Sequence, residues 1–320
     1  MATLDVSVII VSWNTRELLL TCVESILNGT HAATYEVIVV DNASSDGSVD
    51  AVRERFPGVR TIVNEDNLGF SRANNLAILA STSRYVCLVN SDVEIHDGCL
   101  DALCSLMDSD VSIGVAGPRV LWPDGTMQST CRKLPSLWNN FCPAVGLSRA
   151  FPRVGWLSGE HMLYFAHDRR LEVDVLVGCL LMVRRAALAT VGLLDERFFI
   201  YSEDVDWCQR FGAAGWKVMF SPEGRATHRG RSSSSRDPHR FSQEELRAVI
   251  QYWEKHRGSM SVNVLVGILL LRHGIRLAGV TLVGIVRPAL RHELAGAGSR
   301  NRDAIRWLRK RRVALSPTGV

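Results

Sequence analysis

Apolar and polar positions along the N-terminal half of the chain predict strands that alternate with helices. Val6–Val11 is an almost unbroken β-branched run, and residues 15–27 then recur in the three-to-four spacing of a helix. Glu36–Val40 predicts a second strand that ends at Asp41, and Val59–Asn64 a third, followed by a helix over Phe70–Ala80. Tyr85–Val89 predicts a fourth strand, closing on Asn90-Ser91-Asp92. Strands that are apolar throughout are buried on both faces, which implies a mostly parallel α/β sheet covered by helices on each side. Ligands of such sheets lie beyond the carboxyl ends of the strands. The polar clusters Ser12/Asn14, Asp41/Asn42, Asn64–Asn67 and Asn90–Asp92 all fall at those ends.

Further along, Pro135, Pro143 and Pro152 interrupt residues 131–170 among Trp138, Phe141, Phe151 and Trp156, which predicts an irregular insertion. For large aromatics in such a segment, core packing is the default expectation over an acceptor groove. Strand character returns at Val173–Val183, a helix is expected through Glu203–Phe211, and another strand at Lys217–Phe220. Arg231–Arg240 is Ser-rich and predicts a mobile loop, after which Ser242 and Glu245 form a capping box opening a helix. This divides the chain into a nucleotide-handling half at 1–130, an acceptor and catalytic half at 131–240, and a helical appendage at 241–320.

Charge sharpens the picture of that appendage. The net charge of +4 does not by itself imply nucleic acid, but residues 300–312 gather seven Arg/Lys against Asp303 alone. Val262–Val286 has the length of a membrane span, yet Arg272, His273 and Arg276 interrupt it. A charge at mid-bilayer costs about 3 kcal/mol or more, so a helix lying in the interface is expected, with an ordinary core helix pair as the equal alternative. The eight cysteines include no C-x-x-C pair and read as reduced core thiols of a cytosolic protein. Asp5 precedes the first strand, so the N-terminal segment does not read as a signal peptide.

The candidate chemistry lies in the polar strand ends and in two later segments. Asp92 could hold a divalent cation that neutralises a diphosphate leaving group, and His228 in Ala-Thr-His-Arg-Gly is a plausible second ligand. Manganese accepts imidazole as well as oxygen, whereas magnesium prefers oxygen. Tyr201-Ser202-Glu203-Asp204-Val205-Asp206-Trp207 crowds three carboxylates, any of which could act as general base, or which could simply complement a helix dipole. Asp41 could accept a hydrogen bond from a nucleobase. Asn67-Leu68-Gly69-Phe70-Ser71-Arg72-Ala73-Asn74-Asn75 opens a helix whose N-terminal amides, with Arg72, suit an anion. Neither a G-x-G-x-x-G nor a P-loop pattern occurs at these positions.

In order, Val-Ile-Ile-Val-Ser-Trp-Asn, Val-Val-Asp-Asn-Ala-Ser-Ser-Asp-Gly-Ser, Asn-Leu-Gly-Phe-Ser-Arg-Ala-Asn-Asn, Leu-Val-Asn-Ser-Asp-Val, Glu-Asp-Val-Asp-Trp and His-Arg-Gly-Arg-Ser resemble family 2 glycosyltransferases of the GT-A fold. The likeness spans about residues 5–235 and is greatest to the bacterial rhamnosyltransferase-like branch. The resemblance implies a Rossmann-like central sheet and an inverting transfer from a nucleoside-diphosphate sugar with Mn2+ or Mg2+ as cofactor. It implies Asp204 as catalytic base and Asp92 with His228 as metal ligands. Around the donor it implies Ser12, Asn14, Asp41, Asn67, Gly69, Arg72, Asn74, Asn90, Ser91 and Glu203. It favours dTDP-L-rhamnose as donor over UDP- or GDP-sugars, and a lipid-linked or cell-envelope glycan as acceptor, at the inner face of the cell membrane. Two positions depart from the pattern: Asn90 replaces the first acid of the D-x-D metal motif, and Ser91 stands where the branch often has proline. The rival readings are a sugar nucleotidyltransferase, which would need a Gly-rich basic loop where Ser12-Trp13-Asn14-Thr15 stands, and a non-catalytic scaffold or nucleic-acid binder using the basic tail.

Overall fold

The computed structural model describes residues 4–230 and 237–315, so Ser232–Ser235 of the expected loop and Arg231 of the last motif lie outside the described residues. Residues 4–134 and 166–237 form one compact unit, and residues 135–165 with 238–315 form another.

The first unit is built on a mixed sheet. Strands β1 (Val6–Ser12), β2 (Tyr35–Asn42), β3 (Arg60–Asn64) and β4 (Tyr85–Asn90) run parallel, in the order β3-β2-β1-β4. Beyond β4 the sheet continues with β11 (Leu180–Arg184), antiparallel, then β6 (Ile113–Leu121), β12 (Lys217–His228) and the short β5 (Val93–Ile95). Between these lie β7 (Met127–Gln128), pairing with β6, and β9 (Leu171–Glu172), pairing with β12. A separate two-stranded ladder joins β8 (Cys131–Arg132) to β10 (Val175–Leu176). Val8 and Ile10 of β1, with Val37 and Val39 of β2, pack on one face against α1 (Arg16–Gly29) and α4 (Cys99–Ser109). The alternate residues Ile9, Ile38 and Val40 are equally buried outside that cluster and belong to the opposite face. There α3 (Gly69–Leu79) packs on β1 and β2. Both faces are therefore covered, which is why β1, β2 and β4 carry near-continuous apolar runs, whereas the edge strand β3 is partly exposed.

Several expectations change. The strand expected over Val173–Val183 is two, β10 and β11, separated by a turn at Val177–Cys179. The strand expected to end at Phe220 continues through the polar Ser221–His228. A register shift between Ser221 and Arg225 interrupts its ladder with β6, which resumes at Arg225–Thr227 while β5 pairs along the other edge at Ala226–His228. Residues 131–170 are not wholly irregular, since they include α5 (Leu137–Ala144), capped by Ser136 Oγ accepting from Asn139 N at 3.0 Å. They do not group with the acceptor half either: 135–165 group with the C-terminal helices. The helix expected to open at the Ser242 capping box instead begins at Pro238 (α9, Pro238–His256), which places Ser242 inside it. All eight cysteines are buried and unbridged, as expected of core thiols.

In the second unit α10 (Ser259–Val286) packs against α11 (Arg291–Leu315) and α5. Val262, Leu265, Val266 and Leu269 form its buried stripe at helical spacing.

Candidate functional site

Register alone brings the polar strand ends together. Ser12 pairs with Asp41, Val11 with Asn90, and Asn42 with Asn64. Asn14, held at φ 54°, links the first two loops: its N–H donates to Ser44 Oγ at 2.8 Å and its Oδ1 accepts from Ser45 N at 2.8 Å. A chain of hydroxyls, Ser12 Oγ to Thr15 Oγ1 (3.1 Å) to Ser91 Oγ (2.9 Å), ties β1 to the end of β4. Ser12 and Ser91 thus each find a partner in the Thr15 hydroxyl.

Asp41 is 1% exposed, and only its Oδ2 is matched within the protein, accepting Ser44 N at 2.8 Å. Its Oδ1 is buried without a partner. A buried carboxylate oxygen left unmatched costs stability, so it fits an N–H donor supplied by a ligand.

The Asn67–Asn75 segment has structural bonds of its own. Asn67 Oδ1 accepts from Gly69 N (3.0 Å) and Asn42 Nδ2 (3.3 Å), so it closes the turn into α3. The amide of Phe70 donates to Phe199 O at 2.7 Å, which occupies one donor that an anion would need. Gly69 adopts φ +80°, and a Cβ there would stand 2.4 Å from Phe199 O, so glycine is required by the close approach of that loop. Asn74 Nδ2 donates to Phe70 O at 2.9 Å, while Arg72 is exposed to solvent. Unforeseen from the sequence, Asn75 exchanges bonds with Leu194 (2.9 and 3.1 Å) and Glu196, anchoring the segment that leads to the acidic helix.

Asp92 and His228 meet because β12 pairs with β5 so that His228 stands opposite Val93. Their side chains are 9% and 12% exposed and approach to 3.2 Å, Asp92 Oδ1 to His228 Nε2. The other ring nitrogen, Nδ1, lies 2.9 Å from Gln128 Oε1 on β7. With that amide oxygen accepting, Nδ1 carries the proton and Nε2 is left to face the carboxylate. Burial works against the charged imidazole, but hydrogen bonds to Asp92 and to the Cys179 thiol outweigh it and push His228 up to about 10. Among the described residues no cluster of three or more His, Cys, Asp or Glu could hold a metal alone. One carboxylate and one imidazole nevertheless fit a manganese-type ion whose remaining ligands come from diphosphate and water.

The acidic helix α8 (Glu203–Ala213) starts after two non-glycine residues in left-handed conformation, Tyr201 at φ 74° and Ser202 at φ 67°. Such strain persists only where surrounding structure imposes it. The three acids then separate in role. Asp206 is fully buried and pairs with Arg210 at 2.9 Å, while Arg210 also holds Leu193 O at 2.8 Å, so this acid belongs to the scaffold. Glu203 is 7% exposed with Oε2 unmatched, and burial, beside the Asp204 charge, raises its carboxyl well above the usual range. Asp204 accepts Val205 N on Oδ1 and Gly178 N on Oδ2, both at 2.8 Å. Each oxygen keeps a second lone pair for a substrate hydroxyl.

Gly178 and Cys179, which the sequence reading did not single out, connect these groups. Gly178 holds Asp204, Cys179 O accepts Asn90 N at 2.9 Å, and the Cys179 side chain contributes to the electrostatics of His228. A Cβ on Gly178 would stand 3.2 Å from Asp204 Cβ, so the small residue permits the approach.

Residues 7–192 match the family described as glycosyl transferase family 2. The chain is a family 2 glycosyltransferase. This glycosyltransferase is 34% identical over 213 residues to N-acetylglucosaminyl-diphospho-decaprenol L-rhamnosyltransferase of Mycobacterium tuberculosis, covering 63% of the chain and 69% of the relative. Among solved structures, the mannosyltransferase PcManGT from Pyrobaculum calidifontis, in complex with GDP-Man and Mn2+, matches with TM-score 0.53 and 15% identity over 95% of this chain and 86% of that one. GalNAc-T7 with UDP, GalNAc and Mn2+ matches with TM-score 0.53 and 17% identity, over 71% of this chain and 44% of that one. The glycosyltransferase therefore has the GT-A fold. The family match includes Asp41 and Asp92 but ends before Asp204 and His228, whose assignment depends on the geometry above.

Proposed function

We propose that this glycosyltransferase moves L-rhamnose from dTDP-L-rhamnose to a lipid-linked glycan at the inner face of the cell membrane, inverting the anomeric centre. The observation that carries the mechanism is the arrangement of Asp92, His228 and Asp204 around the Gly178–Cys179 turn. Asp92 and His228 would hold a divalent cation, which when bound supplies positive charge to the departing diphosphate. Asp41, through its unmatched Oδ1, accepts an N–H of the base and orients the nucleotide. Asp204, held by two backbone amides, takes the proton of the acceptor hydroxyl as that oxygen attacks the face opposite the leaving group. Burial, with the Asp204 charge beside it, pushes the Glu203 carboxyl up to about 8, which favours its protonated form. The donor assignment is supported by likeness to a relative named as an L-rhamnosyltransferase, and the lipid-linked acceptor by the decaprenol diphosphate in that name.

Titration calorimetry with dTDP, UDP and GDP, each with and without manganese, tests the donor. Binding of dTDP alone among the three, dependent on metal and lost in Asp92→Ala, is the expected result. Preference for UDP or GDP would overturn the rhamnose assignment, and a product retaining the donor's anomeric configuration by NMR would overturn inversion.

A further inference from the structure

The second unit exposes apolar side chains in a pattern that catalysis does not explain. Of the twenty-one large hydrophobics exposed among the described residues, fifteen lie in 135–165 and 238–315, the smaller of the two units. They fall in two groups on elements that pack together, since α5 lies against α10. One group is aromatic: Trp138 (44% exposed) stacks on Trp156 (64%) with ring centroids 5.9 Å apart, and Phe151 and Tyr164 are exposed nearby in the chain. Residues 149–154, Arg-Ala-Phe-Pro-Arg-Val, are exposed without interruption, so two arginines flank this aromatic segment. The other group is the C-terminal half of α10, where Ile275, Leu282, Ile285 and Val286 are all exposed, in contrast to the packed stripe before it.

We infer that this aromatic and aliphatic surface of the second unit lies in the interfacial region of an anionic lipid bilayer. Charge complementarity selects that occupant. Residues 259–315 carry eleven Lys/Arg against Glu293 and Asp303, and the exposed ones include Arg287 and Arg291 directly after the apolar half of α10. Basic residues beside apolar anchors bind the headgroups of anionic lipid. Trp and Tyr favour the same depth, where a ring is buried and its polar edge stays wet. Trp138 Nε1 already donates to Trp156 O at 2.7 Å, which matches one of the two indole donors before the pair meets lipid. The 28-residue α10 is long and apolar enough to cross a membrane, yet Arg276 is exposed at mid-helix, where hydrocarbon would surround it. Its neighbour His273 is taken up within the unit, bonding Asn301 of α11 at 2.8 Å. A helix lying in the interface keeps Arg276 in water and the apolar half in lipid. This deepens the lipid-linked acceptor reading by naming the surface that meets the membrane, and it is testable without turnover.

The test is flotation of the full chain with vesicles of phosphatidylcholine alone or mixed with phosphatidylglycerol. Expected are recovery with the anionic vesicles only, and release by high salt or alkaline carbonate. Ile285→Asp with Val286→Asp, and separately Phe151→Ala with Trp156→Ala, should each weaken binding about tenfold or more. Nucleotide binding by these variants should stay unchanged, which reports folding and separates this surface from the donor site. Four results would overturn the inference: no vesicle binding by the wild type, equal binding to neutral vesicles, binding untouched in both double variants, or retention that only detergent reverses. So would loss of a homodimer in the variants, which would make the surface a contact between copies. If anionic-vesicle binding holds while dTDP fails to bind, the donor assignment falls and this inference stands.

Discussion

The two units of the chain depart from the ordinary inside-outside rule in opposite senses. Of the nineteen polar or charged residues buried among the described ones, eighteen lie in the unit that carries the sheet, with Ser158 the exception. Exposed large hydrophobics are concentrated, as described, in the other unit. Burying a polar group costs energy unless it is matched, and most of those in the first unit are matched in chains such as Ser12–Thr15–Ser91 and Asn42–Asn67–Gly69. Two carboxylate oxygens among the unmatched atoms, Asp41 Oδ1 and Glu203 Oε2, sit at the strand ends and on the acidic helix, where a ligand is expected. In the second unit the cost is water against apolar surface, which a partner relieves. Where each unit is under-satisfied therefore indicates what it is built to meet: a polar ligand in one, an apolar surface in the other.

This contrast can be broken in order of expected effect. Asp204→Asn should lower kcat by about a thousandfold while leaving nucleotide binding intact, since general-base removal typically costs about 10²–10⁴; near-normal turnover would remove Asp204 from the reaction. Gly69→Ala should destabilise the first unit by about 3 kcal/mol in denaturant unfolding, because its φ and the Phe199 carbonyl both exclude a Cβ. Gln128→Met, which removes the acceptor for His228 Nδ1, should weaken manganese binding by about 10–100-fold in calorimetry. Gln128→Glu, which keeps an acceptor, should restore most of it.

Smaller effects follow from the carboxyl of Glu203. Its folded pKa is raised, so the stability linked to its proton is complete below the unfolded value near 4.5. That stability is lost as pH rises through the raised value. Glu203→Gln should therefore raise Tm relative to wild type more at alkaline than at acidic pH, by roughly 2–4 °C for each 1 kcal/mol relieved. Equal Tm differences at both pH values would mean that Glu203 is matched in solution. At the far end, Ile285→Ser with Val286→Ser should change stability by about 0.5 kcal/mol or less, because both side chains already face solvent. A large loss there would show that these residues are core.

Legibility from sequence followed the same division. Strands β1, β2 and β4 were readable because burial on both faces leaves nearly unbroken apolar runs, and the parallel register then aligned Ser12, Asp41, Asn64 and Asn90 as expected. The rest of the site was not readable as geometry. The polar half of β12, Ser221–His228, lacks apolar periodicity because it pairs near the sheet edge, yet it delivers His228 to Asp92. Gln128 lies on a two-residue strand, too short for any pattern. Gly178-Cys179 lies inside an apolar stretch and acts mainly through backbone groups, which composition cannot reveal. Asn67 and Gly69 entered as donor-site residues through the family resemblance, and their part in shaping the turn and admitting the Phe199 loop carried no sequence pattern of its own.

The turn at Gly178–Cys179 has a consequence for how this enzyme could change partners. Because adjacent residues hold Asp204 and the end of β4, the proposed base and the proposed diphosphate-handling residues are tied to a single turn. Substitutions that reshape acceptor choice by shifting this turn would disturb both halves of the reaction together. New acceptor preferences are thus accessible mainly through segments that do not touch the turn, leaving the chemistry constant while its clientele varies.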